Sequence, residues 1–248
     1  MGHFTVVIPT YNEAKNLPTL SAELWALPIP NLKILIVDDA SPDGTGEIAQ
    51  ELASRQPNRI SVIHRTGKLG LGSAYITGFK KALESGAEAV AQMDADFSHS
   101  PSYLPNFIEN LEQADVVFGS RYVKGGQLDE HWGIGRVFLS WFGNAYARAI
   151  LGLRVLDTTG GYRLWRRDTL IGMPLDRIRS TGYVFQVEMA LVAQRLGYRI
   201  LEMPIYFKER RIGTSKMTLR IQIEAAVRVW QLLLLYRNLK PAQRQSGG

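Results

Sequence analysis

Residues 90–101 read Val-Ala-Gln-Met-Asp-Ala-Asp-Phe-Ser-His-Ser-Pro. The apolar run Ala87–Met93 reads as a buried strand, and it delivers two aspartates, Asp94 and Asp96, one residue apart. Pro101 then opens a helix pattern over Ser102–Glu112. In extended chain, residues i and i+2 share a face, so both carboxylates can meet one cation while the strand persists. Carboxylate oxygens suit a hard divalent ion, Mg2+ or Mn2+, with diphosphate oxygens and water completing its shell. The plain alternative is a pair of solvated turn acids; their place at the tip of an apolar strand favours the cation.

The same grammar recurs upstream. Phe4–Ile8 is a β-branched strand stopped by Pro9, then Tyr11-Asn12-Glu13 and a helix pattern over Asn16–Leu27. Leu32–Val37 is a second strand ending in Asp38-Asp39; a turn and a helix over Thr45–Arg55 follow. Ile60–Arg65 is a third, leading through Gly67-Lys68-Leu69-Gly70-Leu71-Gly72 into a helix that runs to Glu84. Strands this continuously apolar are buried on both faces, as in parallel sheets. Their alternation with helices predicts an α/β fold with a mainly parallel central sheet. Ligands bind such sheets at the C-terminal strand ends. Glu13, Asp39, Asp94 and Asp96 would therefore share one edge, with acids toward base, ribose and metal. Taken singly, Asn12 and Glu13 read equally as a helix start, and Asp39 as a turn cap. The glycine order G-x-x-G-x-G matches neither the dinucleotide fingerprint nor the P-loop. It reads either as a helix start open to an anion or as a flexible loop.

The second half is more basic and more aromatic. Ala114–Gly119 is a strand ending in Ser120-Arg121-Tyr122, and Val123–Glu130 is a glycine-containing loop. Trp132–Gly152 places Ile134, Phe138, Trp141, Phe142 and Ala145 near helical spacing, with Arg136, Ser140, Asn144 and Arg148 elsewhere. This is either a core-facing amphipathic helix or a membrane-facing one whose basic residues hold a lipid phosphate. Asp157–Arg163 is a polar turn before the short apolar Leu164-Trp165, and Gly182–Leu196 is a helix. Glu188 lies within the apolar face of that helix, so it is paired or functional. Arg199–Phe207 reads as a last strand, Lys208–Lys216 as a basic loop able to close over a diphosphate, and Met217–Asn238 as an amphipathic helix. The chain parses as one domain over 1–216, a C-terminal amphipathic helix over 217–240 and a disordered polar tail over 241–248.

Composition sets outer limits. The chain has 248 residues, a net charge of +6 and no cysteine. The length supports a full α/β core, the charge fits anionic partners, and disulfides are excluded. No dense Lys/Arg run points to nucleic acid. Residues 1–9 lack a signal-peptide pattern. The longest apolar stretch, Val227–Tyr236, is interrupted by Arg228 and Gln231 and falls short of the ~20 residues that span a bilayer.

Taken together, V-I-P-T-Y-N-E, I-V-D-D-A-S-P-D-G-T, M-D-A-D-F-S-H-S-P, G-S-R-Y, D-T-T-G-G-Y-R and G-Y-V-F-Q-V-E-M stand in an order that resembles glycosyltransferase family 2. R-V-F-L-S, G-Y-V-F-Q-V-E and R-R-I-G-T-S-K are similar to its dolichol- or polyprenol-phosphate mannose synthase branch. The resemblance covers roughly residues 4–216 and implies a GT-A (Rossmann-like) fold. It also implies inverting transfer of mannose from GDP-mannose to a polyprenyl phosphate. By motif position, Pro9, Tyr11, Glu13, Val37 and Asp39 would hold the nucleotide. Asp94, Ala95 and Asp96 would hold the sugar diphosphate and metal, and Arg210 and Lys216 would hold phosphates. Arg121, Arg136 and Ser140 would bind the acceptor phosphate, with Asp96, Arg121 and Arg136 central to catalysis. Ser98 departs from relatives that carry a metal-ligating Gln there, and a water can take its place. The expected setting is peripheral, on the cytoplasmic face of a membrane, with a membrane-anchoring partner subunit as a possible companion. The alternatives are a polyprenyl-phosphate glucosyltransferase using UDP-glucose, and a non-catalytic nucleotide-sugar-binding subunit.

Overall fold

The computed structural model describes residues 3–209 and 219–245. Strands β1 (His3–Thr10), β2 (Leu32–Asp38), β3 (Ile60–His64) and β4 (Ala87–Gln92) pair in parallel, with β1 between β2 and β4. Val6, Val7, Ile8, Ile34, Ile36 and Val37 are fully buried, as strands covered on both faces require. The connecting helices are α1 (Leu17–Trp25), α2 (Thr45–Arg55) and α3 (Leu71–Glu84). Gly78 lets α3 lie on the sheet, since a Cβ there would stand 2.3 Å from Val7 Cγ1.

The sheet continues through α4 (Leu104–Asn110), β5 (Val116–Ser120), α5 (Ile134–Leu151), β7 (Arg163–Arg166), α6 (Arg167–Gly172), α7 (Gly182–Arg195) and β8 (Ile200–Pro204). Its order among the described residues is β3-β2-β1-β4-β7-β5-β8. Only β7 runs antiparallel to its neighbours, so the sheet is mainly parallel, as expected. Two apolar layers sandwich it. One includes residues of α3, α5, α6 and α7; the other includes residues of α1, α2 and α4.

Two features depart from the sequence reading, and a third removes one of two alternatives left open. Leu164-Trp165 is the centre of β7, wedged between β4 and β5; four residues are too few to show a period. The expected strand over Arg199–Phe207 is divided. Its ladder with β5 stops at the Ser120–Pro204 pair, and the chain then forms β9 (Tyr206–Phe207), which pairs with β6 (Gln127–Leu128) inside the expected loop. A proline offers no amide to extend a ladder, so the chain changes sheets there. Finally, the aromatic stripe of α5 does not face the core. Ile134 is 89% exposed and Phe138 61%, while Asn144, Ala147 and Leu151 form the buried face.

Helix α8 (Leu219–Tyr236) packs on α5 and α7 and contributes Val229, Leu232 and Tyr236 to the core. Tyr236 donates to Glu188 at 2.8 Å, and Glu188 also accepts the Ser180 amide, so the buried acid of α7 is paired. The expected tail makes contacts as far as it is described: the Gln245 amide donates to Gly172 O, and Arg244 donates to Leu196 O. Among the described residues no helix is long and apolar enough to cross a membrane.

Candidate active site

The tips of β1, β2 and β4 lie side by side, with Pro9 opposite Val37 and Thr10 opposite Asp38 in the β1–β2 ladder. Just beyond each tip sits a non-glycine residue with positive φ: Asn12 at 65°, Ala40 at 52° and Phe97 at 61°. Such conformations cost of order 1 kcal/mol or more and gather where surroundings hold a ligand edge in shape.

The two acids of β2 have separate duties. Asp38 accepts from Thr10 Oγ1 at 2.9 Å, and from the amide and hydroxyl of Ser41 at 3.0 and 2.6 Å. Asp39 accepts the amides of Leu69 and Gly70 at 3.1 and 3.0 Å and pairs with Arg65 at 2.8 Å. The glycine loop is thus tied to the β2 tip, and it carries Lys68 over the Tyr11 ring at 3.8 Å. The Glu13 carboxylate accepts from Asn16 at 2.7 Å, and its amide donates to Thr45 at 2.9 Å. Tyr11, Glu13, Asp39 and Lys68 therefore meet at one edge.

Beside them stand Asp94, Ala95 and Asp96. Asp94 Oδ1 accepts from the buried Tyr75 hydroxyl at 2.8 Å, and Asp96 Oδ1 from the Ser98 amide at 3.0 Å. Ser98 Oγ and both His99 ring nitrogens are buried with no hydrogen-bond partner among the described residues. His99 lies between Tyr162 and Phe207, and burial pulls its pKa below the ordinary range against the opposing pull of Asp94 and Asp96. Among the described residues no cluster of three or more His, Cys, Asp or Glu side chains could by itself enclose a metal. Two carboxylates with an orphaned serine oxygen alongside fit a hard cation whose remaining ligands come from a phosphorylated ligand and water.

On the other side of β4, arginines replace acids. Arg121, at the tip of β5, is 8% exposed. Its Nε and Nη2 donate to the two oxygens of Asp157 at 2.7 Å each, and Nη2 also reaches Thr159 at 2.7 Å. Burial would push Asp157 up, but the Arg121 charge and hydrogen bonds outweigh it and hold the carboxyl below its usual range. Fully buried Arg163 donates to the carbonyls of Gly160, Thr158 and Gln186. Burial pulls it down to about 9, with Asp157 and Glu202 opposing. Thr159 and Asn144 extend the network to α5, where Ser140 accepts from the Tyr122 hydroxyl at 2.8 Å. Arg136 sits nearer the surface, paired with Glu209 at 2.7 Å and stacked over Trp132 at 3.7 Å. Phe207 bridges the halves, lying against both His99 and Arg121. Arg210 and Lys216 lie outside the described residues.

Sequence reasoning did not single out Tyr75, Asp157, Thr159 or Glu202 as site residues. Asp157 carried a signal, being the one acid in D-T-T-G-G-Y-R; Tyr75 carried none, because its partner is 19 residues away on another element.

A family model described as "Glycosyl transferase family 2" matches residues 5–172. The chain is 47% identical over 236 residues to an undecaprenyl-phosphate mannosyltransferase of Micrococcus luteus, covering 94% of this chain and 96% of that protein. It is 44% identical over 214 residues to a polyprenol monophosphomannose synthase of Mycolicibacterium smegmatis, covering 86% and 80%. Among solved structures it superposes on a mannosyltransferase of Pyrobaculum calidifontis in complex with GDP-Man and Mn2+. That match has a TM-score of 0.64 and 20% identity, and covers 97% of this chain and 66% of the other. Glucosyl-3-phosphoglycerate synthase of Mycobacterium tuberculosis, with Mn2+, UDP-glucose and phosphoglyceric acid, gives a TM-score of 0.65 at 20% identity, covering 94% and 79%. At that identity the solved structures speak for a shared fold.

Proposed function

The chain belongs to glycosyltransferase family 2, in its polyprenol-phosphate mannose synthase branch, and from that premise we propose that it transfers mannose from GDP-mannose to a polyprenyl phosphate with inversion. The observation that carries the proposal is the juxtaposition on one sheet edge of an aspartate pair and an ion-paired arginine cluster. That edge offers a cation-dependent diphosphate site and a phosphate-binding site side by side. The names of the two curated relatives supply the sugar and the lipid phosphate.

The chemistry follows from the residue types. A phosphate monoester has its second pKa near ~6, so the acceptor is already an anionic nucleophile and needs no general base. This agrees with a site in which the one nearby histidine is buried among aromatic rings. Asp157 and Thr159 hold the Arg121 guanidinium, leaving Nη1 to meet the acceptor, with Arg136 and Ser140 on the adjoining helix. The phosphate oxygen attacks the anomeric carbon as its bond to the diphosphate breaks, and one displacement inverts that centre. Asp94 and Asp96 would hold Mg2+ or Mn2+, which supplies charge stabilisation for the departing diphosphate. Pro9, Tyr11, Glu13, Val37, Asp39 and Ala95 frame the nucleotide, and Arg210 and Lys216 complete the phosphate contacts. The exposed apolar faces of α5 and α8 give peripheral contact with the membrane that carries the acceptor, on its cytoplasmic side.

Radiolabelled transfer from GDP-mannose, UDP-glucose and UDP-GlcNAc to a short polyprenyl phosphate tests the proposal. Incorporation from GDP-mannose alone is expected. Incorporation from UDP-glucose alone replaces the donor, and none from any leaves a binding subunit.

A further inference from the structure

Helix α3 reaches the site twice. Its start is pinned through the Leu69 and Gly70 amides to Asp39, and one turn later it presents Tyr75 to Asp94. The Tyr75 ring is fully buried and stacked between Phe79 and Phe185, at 5.8 and 5.7 Å, so its hydroxyl has a fixed position. A buried tyrosine hydroxyl needs a partner, yet this one takes a carboxylate at the ligand edge. The hydroxyl donates to Asp94 Oδ1 at 2.8 Å. With Oδ1 engaged by Tyr75, the other oxygen of Asp94 faces Gly161. A Cβ at that glycine would stand 3.1 Å from Asp94 Oδ2 and 3.2 Å from His99 Cε1. The carboxylate is thus held from one side, and on the other it sits in a tight gap, shared with His99 and Gln186, that a side chain at position 161 would crowd.

We propose that Tyr75 is a positioning residue that sets the orientation of Asp94 toward the divalent cation, with Gly161 keeping the facing wall open. The assignment rests on Asp94 and Asp96 being cation ligands. Groups that orient a metal ligand change metal affinity by roughly 10- to 100-fold when removed. Tyr75→Phe keeps the ring stack and removes only the hydrogen bond. Gly161→Ala crowds the same carboxylate from the opposite side without opening a void.

The test is Mn2+ binding to the full-length protein in the presence of GDP, followed by the electron paramagnetic resonance signal of free Mn2+, with transfer measured in parallel. Tyr75→Phe is expected to weaken Mn2+ binding by about 10-fold or more, and its transfer rate is expected to recover toward wild type as Mn2+ is raised. Gly161→Ala is expected to weaken it as well. The double variant is expected to lose less than the product of the two, because both act on one carboxylate. Wild-type Mn2+ affinity in Tyr75→Phe, or a rate deficit that no Mn2+ concentration repairs, overturns the role of Tyr75. If Tyr75→Phe does not fold, Gly161→Ala decides alone, and unchanged Mn2+ binding in it overturns the open-wall geometry. A wild-type protein that binds no Mn2+ with GDP or UDP overturns the cation assignment beneath both.

Discussion

The part of the edge proposed for the donor, at the tips of β1, β2 and β4, and the part proposed for the acceptor, around the tip of β5, are built on different plans. In the donor half each of the three strand tips brings acids; Glu13 and Asp96 accept from neighbours two or three residues away, while Asp39 and Asp94 are held from α3 and the loop before it. In the acceptor half the chemistry sits on Arg121, whose partners come from the 157–159 turn and whose neighbours come from α5 and β9. Both halves bury charge: Asp39 and Asp96 are 5 and 7% exposed and Asp39 pairs with Arg65, while Arg121 is 8% exposed and pairs with Asp157. They differ in what a substitution leaves behind. Truncating Asp96 removes an acceptor of the Ser98 amide and is expected to cost activity with little stability; truncating Arg121 leaves fully buried Asp157 without its cation and is expected to cost both.

Asp96→Ala is the largest expected effect. It removes one of two candidate cation ligands, so transfer should fall by about 10^3-fold or more, with the thermal transition close to wild type. Radiolabelled transfer at saturating Mn2+, with calorimetry alongside, checks both; retained turnover removes Asp96 from the cation site.

Arg121→Ala comes next and contradicts the pattern of Asp96 if the comparison holds. It leaves Asp157 fully buried without its cation, and breaking a buried pair from one side costs roughly 3–5 kcal/mol. Denaturant unfolding should show that loss together with a large fall in transfer. Arg136→Ala offers the contrast within the same half. Its pair with Glu209 is partly exposed, so stability should change by no more than ~1 kcal/mol while KM for the lipid phosphate rises. Equal stability losses in the two variants would dissolve the distinction between the sunk and the surface arginine.

A smaller effect sharpens the electrostatic side. Asp157 has a folded pKa below its unfolded value of ~3.9. Its stabilisation is therefore full above that pH and is lost as pH falls through the folded value. Asp157→Asn should lower stability at neutral pH and flatten its dependence between about pH 4 and the acid limit. Unfolding curves collected across that range would show an unchanged acid slope if the ion pair contributes nothing.

The same contrast explains what could be read in advance. The row of strand-tip acids was legible because apolar runs end in acids and strand geometry alone brings the tips together, whereas the distant partners of Asp39 and Asp94 were not. The alternation of elements likewise sufficed for the parallel core. Strand β7 was not legible, because Arg163–Arg166 owes its place to β4 and β5 on either side rather than to any period of its own. The β8–β9 division depends on where β5 ends, which no residue between Arg199 and Phe207 announces. Arg121 and Ser140 could be named from motifs, but not the Asp157–Thr159–Asn144 network that joins them, since its members lie far apart in sequence. Tyr75 is hidden for the same reason.

The smallest predicted effect concerns how the acceptor half meets its lipid. On α5, Phe138, Trp141 and Phe142 are at least half exposed; on α8, Ile223, Val227, Trp230 and Leu234 are too. The helices are joined where Trp230 Nε1 donates to the Tyr146 hydroxyl at 3.0 Å and that hydroxyl donates to Ala226 O at 3.2 Å. Their apolar faces thus adjoin, and α5 also carries Arg136 and Ser140. A membrane against this surface would bring its phosphate groups to the acceptor arginines. Removing all of α8 would not test this cleanly, because Val229, Leu232 and Tyr236 belong to the core. Val227→Ser and Leu234→Ser alter only outward side chains. Burying an aliphatic side chain fully is worth about 1.5–3 kcal/mol and partial insertion about half that, so each change should weaken liposome binding by roughly 5-fold. Flotation with anionic vesicles measures that loss, and transfer to a short, detergent-dispersed polyprenyl phosphate should hold near wild type. Flotation indifferent to both substitutions would separate the exposed face of α8 from the membrane and leave α5 alone to approach the lipid.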